Sequence, residues 1–233
     1  MFDPAAWPGI NSVAPETAVK QGGERGNTMK RSLLCALMLA LTAFPAGAAT
    51  LVKTYSYFPI GGSTLDDIET QLSKLGPQVK STGSRHPGAT QMAFTTRVSY
   101  AQKPGSCWIA DAVVTVKVKV ILPEWRRPRK ADAGVKLFWD TLSADIKRHE
   151  ERHVEIAKNH GRELEDALKA SYPEKTCELA KAKAAKITAA MLAKHDQEQM
   201  RFDRVESVNF QSRILRLLHY RIERIENGRL APG

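Results

Sequence analysis

Apolar and polar positions alternate over residues 51–58, where Val52, Tyr55, Tyr57 and Phe58 predict a first strand. Gly61-Gly62 breaks it. Ser63 then caps a helix, with Asp66 three residues on to meet the free amides. Leu65, Ile68, Leu72 and Leu75 share one face of that helix, and Gly76-Pro77 stops it. After a loop over 77–88, residues 90–100 are rich in Thr, Phe, Val and Tyr and predict a second strand. Lys103-Pro104-Gly105-Ser106 is a turn. Residues 107–122 give the clearest strand of the chain: Val114, Val116, Val118 and Val120 alternate with Thr115, Lys117 and Lys119, so one face is dry and the other wet. The two strands form a hairpin, and Pro123 ends the second.

From Ala133 the period changes from two to 3.6. Leu137, Leu142, Ile146, His149, His153, Ile156, Ala157, Leu164 and Leu168 keep helical spacing. Ser171-Tyr172-Pro173 interrupts, and residues 174 to about 200 predict a second helix rich in Ala and Lys. Strand, helix, strands and then paired helices define an α+β fold: a small antiparallel sheet packed on a long helical hairpin.

Charge and targeting change this picture at the ends. Lys and Arg outnumber Asp and Glu 35 to 25, a formal charge of +10. That balance suits anionic lipid or acidic cell-wall polymer as a peripheral partner. No motif points to nucleic acid. Met29-Lys30-Arg31, the apolar run 32–44 and Ala46-Gly47-Ala48 make a secretory signal over 29–48, too short for a comfortable membrane span. Residues 1–28 lack periodicity and read as an upstream extension, with Met29 the true initiator. The expected location is secreted or periplasmic. Cys35 falls in the signal, which leaves Cys107 and Cys177 to pair in an oxidising compartment; two separate buried thiols are the alternative. Residues 206–233 interleave Arg213, Arg216, Arg221 and Arg224 with Ile214, Leu217, Leu218 and Ile222. This is a basic amphipathic tail that suits a lipid surface or the core. Its composition also fits a reading-frame shift near codon 205.

The stretch that carries chemistry is His149-Glu150-x-x-His153. Residues four apart lie on one helical face, so both imidazoles reach one zinc ion at about 2.0–2.1 Å. Glu150 is rotated off that face, free to act as general base on metal-bound water. Ile146, Ile156 and Ala157 share the histidines' side, so the rings face inward, where buried imidazoles need partners. A third ligand is required. His160 lies 11 residues beyond His149, about 16 Å along an unbroken helix, and cannot share the ion. A hairpin centred on Tyr172 sets position 149 opposite His195, the expected third ligand. Glu206 is the alternative, and Glu198 and Asp203 fall within the error of that register.

Gly76-Pro77, Cys107, Leu122-Pro123-x-Trp125, Trp139 and the His149-Glu150-x-x-His153 element together resemble the DUF922 family, described as predicted secreted zinc-dependent proteases. The resemblance runs from about Leu51 to Asp203. It implies a signal peptide, a disulfide, Zn2+ and a zincin-like domain over 49–205. The family continues with a Tyr-Asp-x-x-Thr-x-His-Gly-like element. Here Phe202-Asp203 matches its start, but Val208 stands where the histidine belongs. The expected function is an exported zinc metallopeptidase acting on peptide or protein, with Glu150 activating water. The alternative is a non-catalytic envelope-binding protein with a structural or degenerate metal site.

Overall fold

Alternate residues of the longest strand explain the architecture. In the computed structural model, which describes residues 49–78, 85–129 and 131–231, Val114, Val116, Val118 and Val120 are buried while Lys117 and Lys119 are exposed. The expected signal at 29–48 and the upstream residues 1–28 lie outside the described residues. The elements are β1 (Thr50–Ile60), α1 (Leu65–Leu75), β2 (Ala89–Lys103), β3 (Ser106–Trp125), α2 (Ala133–Lys169) and α3 (Cys177–Glu226). The fold is α+β, as the pattern predicts.

The sheet has the order β1-β3-β2. The hairpin β2–β3 is antiparallel, but β1 runs parallel to β3, so the sheet is mixed rather than antiparallel. The reason is the route of the chain. After β1 it passes through α1 and enters β2 at the far edge, and the hairpin then returns β3 alongside β1 in the same direction. Pro123 does not end β3, because the pairing with β2 begins at Ala89↔Ile121. From Leu122 to Trp125 the strand is paired with β1 alone, and a strand paired on one side tolerates proline.

The cap of α1 is Thr64, not Ser63. Thr64 Oγ1 accepts from the Asp67 amide at 3.1 Å and Asp67 Oδ2 accepts from the Thr64 amide at 3.1 Å. Ser63/Asp66 has the same spacing, so spacing alone does not choose. Burial of Ile68 and Leu72 sets the phase.

α2 lies across the dry face of the sheet. Ala157, Leu164 and Leu168 are fully buried. Gly161 permits the close approach: a methyl there would stand 2.5 Å from Val116 Cγ2. The buried Glu165 carboxylate accepts from the Val114 amide at 2.9 Å, which fixes α2 along β3. Cys107 and Cys177 form a disulfide, and Glu174 pairs with Cys107 through two backbone hydrogen bonds of 2.7 and 2.8 Å. The cross-link spans a separation of 70 residues, worth about 4 kcal/mol on a loop-entropy estimate.

α3 continues 26 residues past the expected end at Met200 and carries most of the basic tail with it. Ile214 is buried against the core. Arg213 Nε donates to Asp145 Oδ1 at 3.0 Å, and Arg213 Nη2 to Asp145 Oδ2 at 3.2 Å. Arg148 Nε also donates to Asp145, at 2.8 Å. α3 runs on past position 200 because Ile214 and Leu218 pack against the core while Arg213 reaches the buried Asp145.

Burial pushes the Asp145 carboxyl up, but hydrogen bonds from Arg213 and Arg148 outweigh it and hold the group below its ordinary 3.8. A carboxylate with a depressed folded pKa stabilises the fold above the ordinary value, and that stability is lost as pH falls through the folded pKa. Arg213→Met should therefore cost about 3 kcal/mol at neutral pH by urea denaturation. The gap to wild type should close as the pH drops below about 3.8.

Candidate metal centre

On α2, His149 and His153 stand one turn apart on the side facing α3. Their Nε2 atoms are 3.1 Å apart. Asp203 Oδ1, from α3, lies 3.3 Å from His149 Nε2 and 3.0 Å from His153 Nε2. An ion about 2.0 Å from each of three donors at tetrahedral angles sets those donors about 3.3 Å from one another. The triangle thus has the size of one face of a zinc site. Among the described residues this is the one group of His, Cys, Asp and Glu side chains close enough to share an ion. Two imidazoles and one carboxylate are a donor set that zinc takes.

The surroundings support that geometry. His153 Nδ1 donates to Gln199 Oε1 at 2.6 Å, which leaves the Nε2 lone pair free for a cation. His149 Nδ1 lies 3.6 Å from Glu206 Oε2. Phe202 stacks on His149 with ring centres 4.9 Å apart and meets His153 edge-on at 5.0 Å. Asp203 is partly buried, which pushes its carboxyl up. The two adjoining imidazoles of His149 and His153 overcome this and hold it far below the carboxylate range. Burial pushes the His153 imidazole down, and its contacts to Asp203 and Gln199 more than restore it, so it ends above its ordinary value.

Glu150 faces the sheet instead of α3. Its side chain is buried, and Thr90 Oγ1 donates to Oε2 at 2.7 Å. Burial pushes this carboxyl up against the opposing pull of Thr90 and the two imidazoles. A cleft of about 510 Å³ is bordered by His149, Glu150 and Asp203 together, with Gly88, Ile146 and Phe210 among its other walls. The Glu150 carboxylate and two corners of the triangle, His149 and Asp203, therefore open on one cavity.

His149, Glu150 and His153 sit on α2 as the motif predicts, but the expected third ligand does not join them. His195 is buried one step behind, its Nε2 2.9 Å from Gln199 Nε2 and its ring edge-on to Phe94 at 4.9 Å. Asp203 takes its place. The pairs 153 with 199 and 149 with 203 are both centred on residue 176, not 172. The shift has a cause: the connection does not turn at Tyr172 but runs on to pair Glu174 with Cys107, and α3 starts only at Cys177. Glu206 approaches His149 but is held by Arg148 and by Arg213 Nη2 at 3.2 Å. Glu198 reaches toward His160 at 3.5 Å, and His160 Nδ1 donates to the Ile156 carbonyl at 3.0 Å, both away from the pair. Val208 is 79% exposed, on the solvent side of α3. Thr90, Gly88 and Gln199 carry no sequence signal. Asp203 had one, the Phe202-Asp203 match to the family element.

Residues 55–210 match the sequence model of a family described as bacterial protein of unknown function, DUF922. That is more than half of the chain, and the protein belongs to this family. No curated protein and no solved structure matches it.

A methyl at position 88 would stand 2.8 Å from Glu150 Oε1 and 2.9 Å from Ile146 Cγ2. Gly88→Ala should lower stability by about 1–3 kcal/mol in chemical denaturation. Gly61→Ala, with nothing within 4 Å, is the control and should cost nothing measurable.

Proposed function

We propose that this protein is an exported zinc-dependent hydrolase that cleaves peptide bonds. The observation that carries the reading is the triangle of His149 Nε2, His153 Nε2 and Asp203 Oδ1, with sides of 3.1, 3.3 and 3.0 Å, beside the buried Glu150. These three residues would hold the ion. Zinc bound there supplies a water of lowered pKa and a Lewis acid for the scissile carbonyl.

The chain's own residues supply the rest. Glu150 takes the proton of the attacking water and returns it to the leaving nitrogen, a role suited by a carboxyl raised through burial. Thr90 holds that carboxylate by one oxygen and leaves the other for the proton. Phe202 shields both imidazoles from bulk water. Asp203 is 55% exposed, so the donor triangle is not sealed by protein, as an open coordination position requires. β2 is an edge of the sheet, and its first residues lie beside Glu150. An extended peptide added along that edge would cross the cleft. The disulfide fits an oxidising compartment, and no helix among the described residues is long and apolar enough to cross a membrane.

One observation favours a second reading, a non-catalytic protein that binds anionic envelope polymer: Lys117 and Lys119 stand exposed on the wet face of the sheet. Metal analysis beside a casein-type assay separates the two. Wild type and Glu150→Gln should each retain one zinc, Asp203→Ala and His153→Ala should lose it, and Glu150→Gln should lower hydrolysis by at least about 100-fold. Zinc in the wild type without hydrolysis would favour the binder. No zinc in the wild type would end the hydrolase reading.

A further inference from the structure

His195, Gln199 and Asp203 follow one another at four-residue intervals on α3, so the three side chains share a face. Asp203 meets the paired imidazoles, and Gln199 reaches His153 from the opposite side of the ring. An amide can be set either way round, and the two settings have opposite consequences here. With its oxygen toward His153 Nδ1, it accepts the Nδ1–H and leaves the Nε2 lone pair toward the metal position. With its nitrogen there instead, it would donate to Nδ1, and the imidazole proton would move to Nε2, where it blocks coordination.

Two acceptors behind Gln199 decide between them. Gln199 Nε2 donates to the His153 carbonyl at 3.2 Å and to His195 Nε2 at 2.9 Å. His195 Nε2 can accept because the other ring nitrogen, Nδ1, donates to Asp196 Oδ1 at 2.9 Å. Burial pushes the His195 imidazole down, which keeps that ring neutral and its lone pair available. The sheet encloses the arrangement: Phe94 lies edge-on to His195, and Met92 Sδ is 3.4 Å from Gln199 Nε2.

We infer that Gln199 is a positioning residue for the metal centre, and that His195 acts through it by fixing which end of the Gln199 amide meets His153. This rests on the metal reading of the His149, His153 and Asp203 group. It gives a role to the histidine that the hairpin register singled out and the donor triangle leaves aside.

The test is zinc affinity of the purified full chain, measured by chelator competition, for wild type, Gln199→Leu, Gln199→Glu, His195→Leu and the double Leu variant. Gln199→Leu should weaken zinc binding about 10–100-fold. Gln199→Glu keeps an acceptor oxygen opposite Nδ1, and its added negative charge favours a second proton on His195, which then keeps Nδ1–H on Asp196 and donates Nε2–H to the other oxygen. Its affinity should stay within about threefold of wild type. His195→Leu should weaken binding on its own and add nothing in the Gln199→Leu background, since its effect passes through the amide. A helix contact with no part in positioning the ligand would leave all these affinities equal. A Gln199→Leu variant that binds zinc as tightly as wild type, or a His195→Leu loss that adds to it in full, overturns the inference while leaving the metal centre intact. A wild type that retains no zinc overturns the metal reading itself, and this inference with it.

Discussion

α2 is covered on two opposite sides, and most of the structure follows from how differently it meets them. Toward the sheet the contact is dry and close. Gly161 sits under Val116, and Leu164 and Leu168 are fully buried. Toward α3 the contact is polar over the stretch that matters, from Asp145 to His153. Successive residues of a helix are about 100° apart. Glu150 therefore faces the sheet while its neighbour His149 faces α3. The cleft lies where the two sides meet, which is how the Glu150 carboxylate from the dry side and the His149 imidazole from the polar side come to border one cavity.

The polar seam sets the register between the two long helices. Asp145, Arg148, Glu206 and Arg213 form a compact group of two acids and two bases, with Asp145 almost completely buried. Such groups gain little net stability over apolar packing, but a mismatched alignment would leave a buried charge alone, at a cost of several kcal/mol. Sliding α3 by one turn would separate Arg213 from Asp145 and Asp203 from the imidazoles together. The residues that hold the helices in line and those that gather around the donor triangle are thus parts of one alignment.

What was legible in the sequence was what local spacing determines. Val114 through Val120 gave the central strand, and His149 and His153 at four-residue spacing gave the paired imidazoles. Two cysteines left outside the expected signal gave the disulfide. What was not legible depends on tertiary alignment. The choice of His195 over Asp203 followed from placing the turn at Tyr172. The pairing of Glu174 with Cys107 moves the centre four residues along, and that pairing belongs to the sheet rather than to the connection itself. The parallel direction of β1 and the unbroken run of α3 past Met200 were hidden for the same reason. One follows from the path of the chain, and the other from where the amphipathic tail docks, on the core through Ile214 and on Asp145 through Arg213, which its own periodicity does not choose over a lipid surface.

The opening residues of β2 touch both the buried carboxylate and the amide behind the donor triangle. Thr90 grips Glu150 from one position, and two residues on Met92 touches the amide of Gln199. Glu150 and Gln199 therefore lean on a single short piece of backbone at the sheet's border. Any guest chain that aligned itself there would tug on both at once, coupling occupancy of the rim to the poise of the centre without a lid, a hinge or a moving domain.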